Sequence, residues 1–290
     1  SFVGMTKTVE KSILRWVLVT LSTARLLYYT SIITGYPYFS MRTRVIILAA
    51  GKGTRLNGLT DGLPKVLIRL NGQPMIQYLL DSIKASGADP RPVIVVGHNA
   101  QLLPRSLGPE YEYVYQKEQL GTGHAVACAE PLLRGKTDAV IVLYGDHPFV
   151  QPSTINKLQN LHRQEGRVLS MLTTTVEDFN DWRAPFADFG RVLRDQDRKI
   201  TGVVEVKDAT LSQRQIQEVN PSYFCFDSGW LWKNLKSITN NNVKREYYLT
   251  DLVRIAIDQG EEIASMDINP LESIGINTPE HLGIAQQFVL

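Results

Sequence analysis

Cysteine is scarce in this sequence. Only 2 of the 290 residues are cysteines, and these two, Cys128 and Cys225, lie far apart among apolar neighbours. This spacing argues against a disulfide framework and against a zinc site built on cysteine. Each cysteine is expected to be a small core residue, and the chain is expected to be cytoplasmic, in a reducing compartment.

An excess of charge of one sign is also absent. The chain has 31 lysine and arginine residues against 29 aspartate and glutamate residues, which gives a net charge of +2. So balanced a total gives no reason to expect a nucleic acid or an anionic membrane as a partner. Any charge that serves function must therefore be local.

A long uninterrupted apolar run is missing as well. The most apolar segment, residues 13–33, contains Arg15 and Arg25. It therefore offers no window of about 18 uncharged apolar residues for a membrane-spanning helix, and it matches a signal peptide poorly. We expect residues 1–40 to form an N-terminal extension outside the catalytic fold, translated from an upstream start. The alternative is an interfacial helix that anchors the protein.

Residues 41–290 contain no internal repeat, no low-complexity tract and no long linker, so they are expected to form one domain. Three continuously apolar runs stand in its first half: Val45–Gly51, Val93–His98 and Ala139–Asp146. Such runs are typical of strands buried on both faces of a parallel sheet. Each stops at a glycine followed by polar residues, and the carboxyl ends of parallel strands meet at one ligand crevice. We expect the three ends to converge on one site.

Helical patterns fill the gaps between these runs. Pro74 suits a helix start, apolar residues follow at helical spacing, and Gly87 stands just beyond the end. Further helices are predicted from Thr122 onward and over Pro152–His162, Trp230–Leu235, Leu249–Ile257 and Pro279–Val289. The alternation of strand and helix in the first half predicts a doubly wound α/β fold.

The second half of the chain is richer in strands. Segments with β-branched and aromatic residues between turn residues predict four more strands. They are Arg167–Thr175, Gly190–Arg194, Ile200–Val206 and Val219–Phe226. Some of them are expected to be antiparallel and to cap the sheet as a substrate-binding lobe, so the sheet should be mixed and mostly parallel.

The first apolar run leads into a glycine-rich turn, Leu48–Arg55, with the sequence LAAGKGTR. Glycine lets a backbone approach an anion closely, and the N–H groups at the end of a buried strand can bind phosphate. Lys52, Arg55 and Lys65 add positive charge around the turn. It is neither a Walker A loop nor a dinucleotide fingerprint, and a plain tight turn is the alternative interpretation.

Asp146 follows the third apolar run and is expected to emerge at the crevice. A carboxylate there suits Mg²⁺, which prefers few protein oxygens together with phosphate and water oxygens. A helix N-cap or a turn residue is the alternative. The segment Gln116–Ala125 combines amide side chains, glycines and a helix start, which suit the edge of a base or a phosphate. Its His124 is expected to serve in packing or in a structural hydrogen bond rather than as a general base.

Seven segments of the chain share the order and rough spacing of known motifs. They are Leu48–Arg55, Leu63–Lys65, Gln116–Ala125, Leu143–Asp146, Val203–Thr210, Glu246–Asp251 and Gly275–Asn277. Together they resemble the sugar-1-phosphate nucleotidylyltransferases, and most closely the uridylyltransferase domain of bacterial N-acetylglucosamine-1-phosphate uridylyltransferases. The resemblance extends from about Met41 to the C-terminus. It implies the Rossmann-like, doubly wound, mixed sheet of the nucleotide-diphospho-sugar transferases.

The resemblance also implies a role for each residue of the site. Arg55, Lys65 and Asp146 are the implied catalytic residues, and Asp146 and Asn277 are the implied Mg²⁺ ligands. The implied nucleotide-binding residues are Leu48, Ala49, Ala50, Gly51, Gly53, Gln116, Gln119, Gly121 and Thr122. The implied sugar-binding residues are Tyr144, Gly145, Gly190, Glu205 and Asn220.

The implied activity is a Mg²⁺-dependent transfer of UMP from UTP to N-acetylglucosamine 1-phosphate. The products would be pyrophosphate and UDP-N-acetylglucosamine, a cell wall precursor. The sugar phosphate is already anionic, so the enzyme needs to supply positioning and charge neutralisation rather than a nucleophile. Two alternatives stay open: another pair such as dTTP or UTP with glucose 1-phosphate, and a non-catalytic protein that senses nucleotide sugars.

The chain departs from the family pattern at several places. The loop between Arg55 and Leu63 is longer than in the usual bacterial form. The usual Asn-Thr-Gly is here Asn220-Pro221-Ser222, and proline removes a backbone donor beside the expected sugar. The hexapeptide-repeat β-helix of the bifunctional members has no counterpart in this sequence. Neither acetyltransferase activity nor trimerisation through that β-helix is therefore expected, and a homo-oligomer of another kind stays open.

Overall fold

A computed structural model describes residues 41–289 of the chain, apart from residues 52, 57, 61 and 98. The expected N-terminal extension, residues 1–40, lies outside the described residues, as do Lys52 of the glycine-rich turn and His98 at the end of the second apolar run. None of the helices in the described part combines the length and the apolar character needed to cross a membrane.

Strands and helices alternate through the first half of the chain, as the sequence predicts. The strands of the described residues are β1 (Thr43–Ala49), β2 (Arg69–Leu70), β3 (Gln73–Pro74), β4 (Val93–Val96), β5 (Glu112–Tyr115), β6 (Ala139–Tyr144), β7 (Leu169–Thr175), β8 (Gly190–Arg194), β9 (Ile200–Val204), β10 (Glu218–Asn220), β11 (Phe224–Asp227) and β12 (Ala264–Asp267). The α-helices are α1 (Met75–Ser86), α2 (Leu102–Leu107), α3 (Thr122–Cys128), α4 (Glu130–Leu133), α5 (Pro152–Glu165), α6 (Leu211–Arg214), α7 (Ser228–Asn234), α8 (Asp251–Asp258) and α9 (Pro279–Gln286). Short 3₁₀ segments cover Thr54–Leu56, Lys65–Leu67, Asp181–Asp188, Leu235–Ser237 and Pro270–Ser273.

The central sheet has 10 strands in the order β5-β4-β1-β6-β11-β7-β10-β8-β9, with β12 also paired to β7. The neighbours β5, β4, β1 and β6 are parallel, and β12 is parallel to β7. Only β11, β10 and β9 run against the other strands. The sheet is therefore mixed and mostly parallel, which confirms the predicted fold class.

The strand predicted over Val219–Phe226 is in fact two strands, so this prediction was wrong in that respect. Both β10 and β11 pair antiparallel with β7. Between them, Pro221 has no backbone N–H to donate, and Ser222 has a positive φ of 65°, which interrupts the ladder. Beyond β7, β11 pairs with β6 whereas β10 pairs with β8. The sheet thus divides at residues 221–223 into the main sheet and a small antiparallel lobe.

Helices cover both faces of the main sheet. Helix α1 begins after Pro74, buries Ile76, Leu79 and Ile83 at helical spacing, and ends at Gly87, whose φ is 69°. It packs on α5, which in turn packs on β7, β11 and β12. Helix α3 packs against β1 and β4, and α7 packs against β11. The chain is therefore doubly wound, and the carboxyl ends of β1 and β6 open toward one side.

A buried carboxylate holds the start of β1 in place. Asp89, which is 2% exposed, accepts hydrogen bonds from the Val45 and Arg91 backbone N–H groups at 2.8 and 2.9 Å. It also accepts a charge-assisted hydrogen bond from Arg44 Nε at 2.9 Å. Arg44 bridges onward to Glu112 of β5 at 2.7 Å. This network connects the start of β1 to the turn just before β4 and to the start of β5.

Removal of the Asp89 carboxylate should destabilise the fold. We expect Asp89→Ala to lower the free energy of unfolding by about 2–4 kcal/mol, because it leaves buried N–H groups and part of a guanidinium without an acceptor. Asp258→Ala is the matched control, since Asp258 pairs with Arg254 in an exposed ion pair and its loss should cost much less. Urea unfolding followed by circular dichroism measures both values, and equal losses would contradict the assigned role of Asp89.

Candidate active site

Two cavities adjoin one another at the carboxyl ends of β1 and β6. The first, which we call the glycine-loop cavity, measures about 350 Å³ and begins at the glycine-rich turn. The second, the strand-break cavity, measures about 230 Å³ and reaches the interruption between β10 and β11. The residues that line both cavities form a shared wall, and they are Thr122, Tyr144, Asp146, Lys244, Glu246 and Asn277.

Most of the predicted site residues line these cavities. The predicted nucleotide-binding residues that line the glycine-loop cavity are Leu48, Ala49, Ala50, Gly51, Gln116, Gln119, Gly121 and Thr122. The predicted sugar-binding residues that line the strand-break cavity are Tyr144, Gly190, Glu205 and Asn220. Arg55 and Lys65 line the glycine-loop cavity, and both Asp146 and Asn277 belong to the shared wall.

Two predicted residues, Gly53 and Gly145, line neither cavity, and both support the segment that carries Lys65. A Cβ at Gly53 would lie 2.9 Å from the Cβ of Lys65, and the φ of Gly53 is 66°. A Cβ at Gly145 would lie 3.0 Å from Cγ1 of Val66. The absence of these side chains lets the glycine-rich turn and the end of β6 approach residues 65–66 closely.

The end of β4 does not join β1 and β6 at the cavities. A Cβ at Gly97 would lie only 2.4 Å from the carbonyl oxygen of Ala50, so this glycine packs behind the glycine-rich turn instead of facing the site. The expected convergence of three strand ends therefore holds for β1 and β6. The third end, as far as it is described, supports the turn from behind.

A cluster of charged and amide groups lies in the shared wall. The Lys65 ammonium group contacts the Asp146 carboxylate and donates to Asn277 Oδ1 at 2.7 Å. Arg55 donates to the same Asn277 oxygen at 2.9 Å and to Asp188 Oδ2 at 2.8 Å. Lys65 is 8% exposed, whereas the Arg55 and Asp188 side chains are more than half exposed. The cluster therefore combines a buried ion pair with an exposed one at the mouth of the site.

The electrostatics of the cluster favour an ionised carboxylate. Burial, the largest single effect, would raise the pKa of Asp146, but nearby positive charge and hydrogen bonds, chiefly those of Lys65, together outweigh it and lower that pKa below its usual value. Burial lowers the pKa of the adjacent His147 to about 4, so its imidazole is neutral at physiological pH. Its Nδ1 lies 2.8 Å from the Tyr223 hydroxyl, which donates to the Glu272 carbonyl at 2.9 Å. The proton of His147 is therefore on Nδ1.

Gln116 is nearly fully buried at the inner end of the glycine-loop cavity. Its Nε2 lies 3.1 Å from the Gly121 carbonyl and 3.0 Å from Nδ1 of His124, so both of its N–H groups are engaged. The Oε1 oxygen is left as an acceptor. Gly121 has a φ of 115°, and a Cβ there would lie 2.6 Å from the Tyr247 carbonyl, so the turn before α3 requires glycine.

The strand-break cavity offers acceptors for hydroxyl groups. Glu205 accepts from the Thr250 hydroxyl at 2.9 Å, and burial raises the pKa of its carboxyl. Asn220 Oδ1 accepts from the Ser222 backbone N–H at 2.8 Å, which folds the broken strand around Pro221. Burial raises the pKa of the Tyr144 hydroxyl, and Tyr144 lines both cavities. Tyr144 therefore joins the walls of the two cavities.

Sequence patterns alone did not single out three lining residues: His147, Asp188 and Lys244. His147 directly follows Asp146, and that position was the available signal. Asp188 ends an irregular 3₁₀ segment, and Lys244 lies in a polar loop before Tyr248, so neither belongs to a periodic pattern.

The donor set at the shared wall fits a hard divalent cation such as Mg²⁺. Asp146 supplies carboxylate oxygens and Asn277 an amide oxygen, and both contact the same ammonium group, so they face a common point. No group of three or more histidine, cysteine, aspartate or glutamate residues suited to a metal occurs within the described chain. Mg²⁺ commonly takes one or two protein oxygens and completes its shell with phosphate and water.

Comparison with known protein families and curated proteins finds relatives of this chain. Residues 45–223 match the family described as the MobA-like NTP transferase domain. A protein described as bifunctional protein GlmU from Pelobacter propionicus is 38% identical over 247 residues, covering 84% of this chain and 51% of that protein. The GlmU protein of Streptococcus pyogenes is 37% identical over 247 residues, covering 85% of this chain and 51% of its own length. The chain thus spans about half the length of the curated relatives it matches.

A solved structure shares the fold. The crystal structure of a UDP-glucose pyrophosphorylase complexed with UDP-glucose matches with a TM-score of 0.68 at 17% identity, over 86% of this chain and 98% of the other. The family expected from the seven sequence motifs, the nucleotidylyltransferases, is confirmed by the family match and the GlmU relatives. Since the matched region covers more than half of the chain and most of its described strands, the chain belongs to the MobA-like NTP transferase domain family.

Proposed function

We propose that this chain transfers UMP from UTP to N-acetylglucosamine 1-phosphate, with release of pyrophosphate. The observation that carries this proposal is the wall shared by the two cavities. Two anionic substrates that occupied adjacent cavities would meet at Asp146, Lys65 and Asn277. The choice of uridine and of the amino sugar rests on the resemblance to the N-acetylglucosamine-1-phosphate uridylyltransferases.

The glycine-loop cavity suits the nucleotide. The free Oε1 of Gln116 can accept a hydrogen bond from a ring N–H, which uracil, thymine and guanine present on the base-pairing edge and adenine and cytosine lack. The backbone of residues 48–51 lies close to this amide along the same cavity, and Arg55 stands at its outer end. The cavity is therefore suited to a base at one end and phosphates at the other.

The strand-break cavity suits the sugar. Glu205 and Asn220 offer oxygen acceptors to hydroxyl groups. Gly190 has no side chain to occupy this part of the cavity, and a Cβ there would lie 3.2 Å from Cγ1 of Val203. Pro221 presents no backbone donor, so an acetamido carbonyl would need a partner other than this residue. Glucose 1-phosphate is accordingly the second candidate acceptor.

The chemistry needs no protein nucleophile. An oxygen of the sugar 1-phosphate attacks the α-phosphorus of UTP, a new P–O bond forms, and the bond to the β-phosphate breaks as pyrophosphate leaves with the electron pair. Lys65 would neutralise charge on the transferring phosphoryl group, and Arg55 would neutralise charge on the leaving group. A Mg²⁺ ion held by Asp146 and Asn277 would supply further charge neutralisation when bound.

A panel of substrates tests the proposed function. We expect pyrophosphate release to be fastest with UTP and N-acetylglucosamine 1-phosphate, with kcat/KM at least about tenfold above that for dTTP or glucose 1-phosphate. Pyrophosphate is measured by a coupled assay for each pair. Equal or better turnover with dTTP and glucose 1-phosphate would overturn the uracil and acetamido assignments.

Asp146→Asn should abolish most of the activity without loss of the fold. The change keeps the size of the side chain but removes the charge that faces the metal and Lys65, and kcat should fall at least about 100-fold. Mn²⁺ binding, followed by electron paramagnetic resonance, should weaken in parallel. Asp258→Asn, at an exposed aspartate of α8, is the control and should leave both measurements unchanged. Near wild-type turnover in Asp146→Asn would refute the role of Asp146.

We further propose that residues 41–290 form the catalytic domain and that residues 1–40 lie outside it. A protein of residues 41–290 should unfold at the same temperature as the full chain and release pyrophosphate within about twofold of its rate. A protein that begins at residue 51 lacks β1, the strand between β4 and β6, and should not fold. Lost activity in the longer protein would show that the extension takes part in the domain.

A further inference from the structure

The strand-break cavity is rich in carboxylates and poor in cations. Its acidic lining residues are Asp146, Asp188, Glu205 and Glu246. Among the described residues that line it, Lys244 is the sole lysine or arginine. A sugar 1-phosphate is a phosphate monoester with between one and two negative charges at neutral pH, so it needs a cation in or beside this cavity.

The other cations of the site face the glycine-loop cavity and already have partners. Lys65 contacts Asp146 and Asn277, and Arg55 contacts Asp188 and Asn277. Neither of them lines the strand-break cavity. These two residues are therefore placed for the triphosphate, and a lysine or arginine that contacts the acceptor phosphate from within the described lining of the strand-break cavity would be Lys244.

Lys244 lies in a loop whose backbone is held by hydrogen bonds from the side chain of Asn242. The Asn242 side chain donates to the Glu246 carbonyl at 2.6 Å and accepts from the Glu246 N–H at 3.2 Å. The Arg245 N–H also donates to the Asn242 carbonyl at 3.1 Å, and the φ of Arg245 is 58°. The backbone on both sides of Lys244 is thus held by hydrogen bonds, while its side chain is exposed.

The ammonium group of Lys244 has no salt bridge with any described residue. It lies 5.9 Å from the centroid of the Tyr248 ring, which is a weak cation–π contact at an exposed side chain. Lys244 also lines both cavities, so its stem already stands at the wall where the two substrates would meet. An incoming phosphate would provide the strong anionic partner that the side chain otherwise lacks.

We infer that Lys244 is a substrate-binding residue that holds the phosphate of the sugar 1-phosphate at the shared wall. This inference rests on the proposed function. Lys244 would hold the attacking phosphate against the α-phosphorus of the nucleotide and would favour phosphorylated sugars over free sugars. Its flexible stem suits capture of a mobile anion, and its position on the strand-break side separates its task from that of Lys65.

Steady-state kinetics with Lys244→Gln and Lys244→Arg test the inference. We expect Lys244→Gln to raise the KM for the sugar 1-phosphate about tenfold or more and to change the KM for UTP less than about twofold. Lys244→Arg keeps the charge and should retain most of the wild-type affinity. Lys157→Gln, at an exposed lysine of α5 that lines neither cavity, is the matched control and should behave as wild type.

A binding measurement separates the phosphate contact from turnover. Calorimetric titrations with N-acetylglucosamine 1-phosphate and with N-acetylglucosamine are made in the presence of α,β-methylene UTP, which cannot release pyrophosphate. The wild-type preference for the phosphorylated sugar should fall about tenfold in Lys244→Gln and persist in Lys244→Arg.

The outcomes distinguish this inference from the proposed function. If the wild-type chain releases pyrophosphate and Lys244→Gln keeps the wild-type KM for the sugar 1-phosphate, the assignment of Lys244 is wrong while the proposed function stands. A rise in the KM for UTP alone would also overturn the assignment. If the wild-type chain releases no pyrophosphate with any sugar 1-phosphate, the proposed function fails and this inference fails with it.

Discussion

A buried ammonium group is stable only among anionic or polar partners, and Lys65 finds these partners at two distant positions of the chain. Asp146 lies two residues beyond the end of β6, the strand that pairs with β1, and Asn277 lies in the segment between β12 and α9. The approach of all three depends on Gly53 and Gly145, which leave space around residues 65–66. The two cavities exist on either side of this contact, so the site depends on it geometrically as well as electrostatically.

The second organising feature is the break between β10 and β11. A continuous strand there would give β6 and β8 one unbroken edge with which to pair. The break at residues 221–223 instead lets β11 complete the main sheet while β10 starts the small lobe. The strand-break cavity opens at this division, and Tyr144 and Thr122 line both this cavity and the glycine-loop cavity. The same irregularity therefore shapes the fold and one of the two cavities.

Much of the fold could be predicted from the sequence, because buried parallel strands leave an unmistakable pattern. The runs that became β1, β4 and β6, and the helix between Pro74 and Gly87, agree with the structure closely. The break at Pro221 was harder to predict from the sequence, because the β-branched and aromatic residues on both sides form a pattern that is typical of one continuous strand. The motif residues of the site were found because they stand next to strand ends. Asp188 and Lys244 were missed because irregular loops carry them, and only tertiary structure brings such loops to the cavities.

Asn277 completes the cluster around Lys65 from a position late in the chain. It stands 212 positions after Lys65 and 222 after Arg55, yet it contacts both. During synthesis the sheet strands that precede β12 emerge before it, so a nascent chain could form much of its core while the cation cluster still lacks its amide partner. Until the segment that carries Asn277 docks, Lys65 would contact Asp146 but would lack its second hydrogen-bond acceptor. The growing chain would thus form most of its sheet before the cluster around Lys65 is complete.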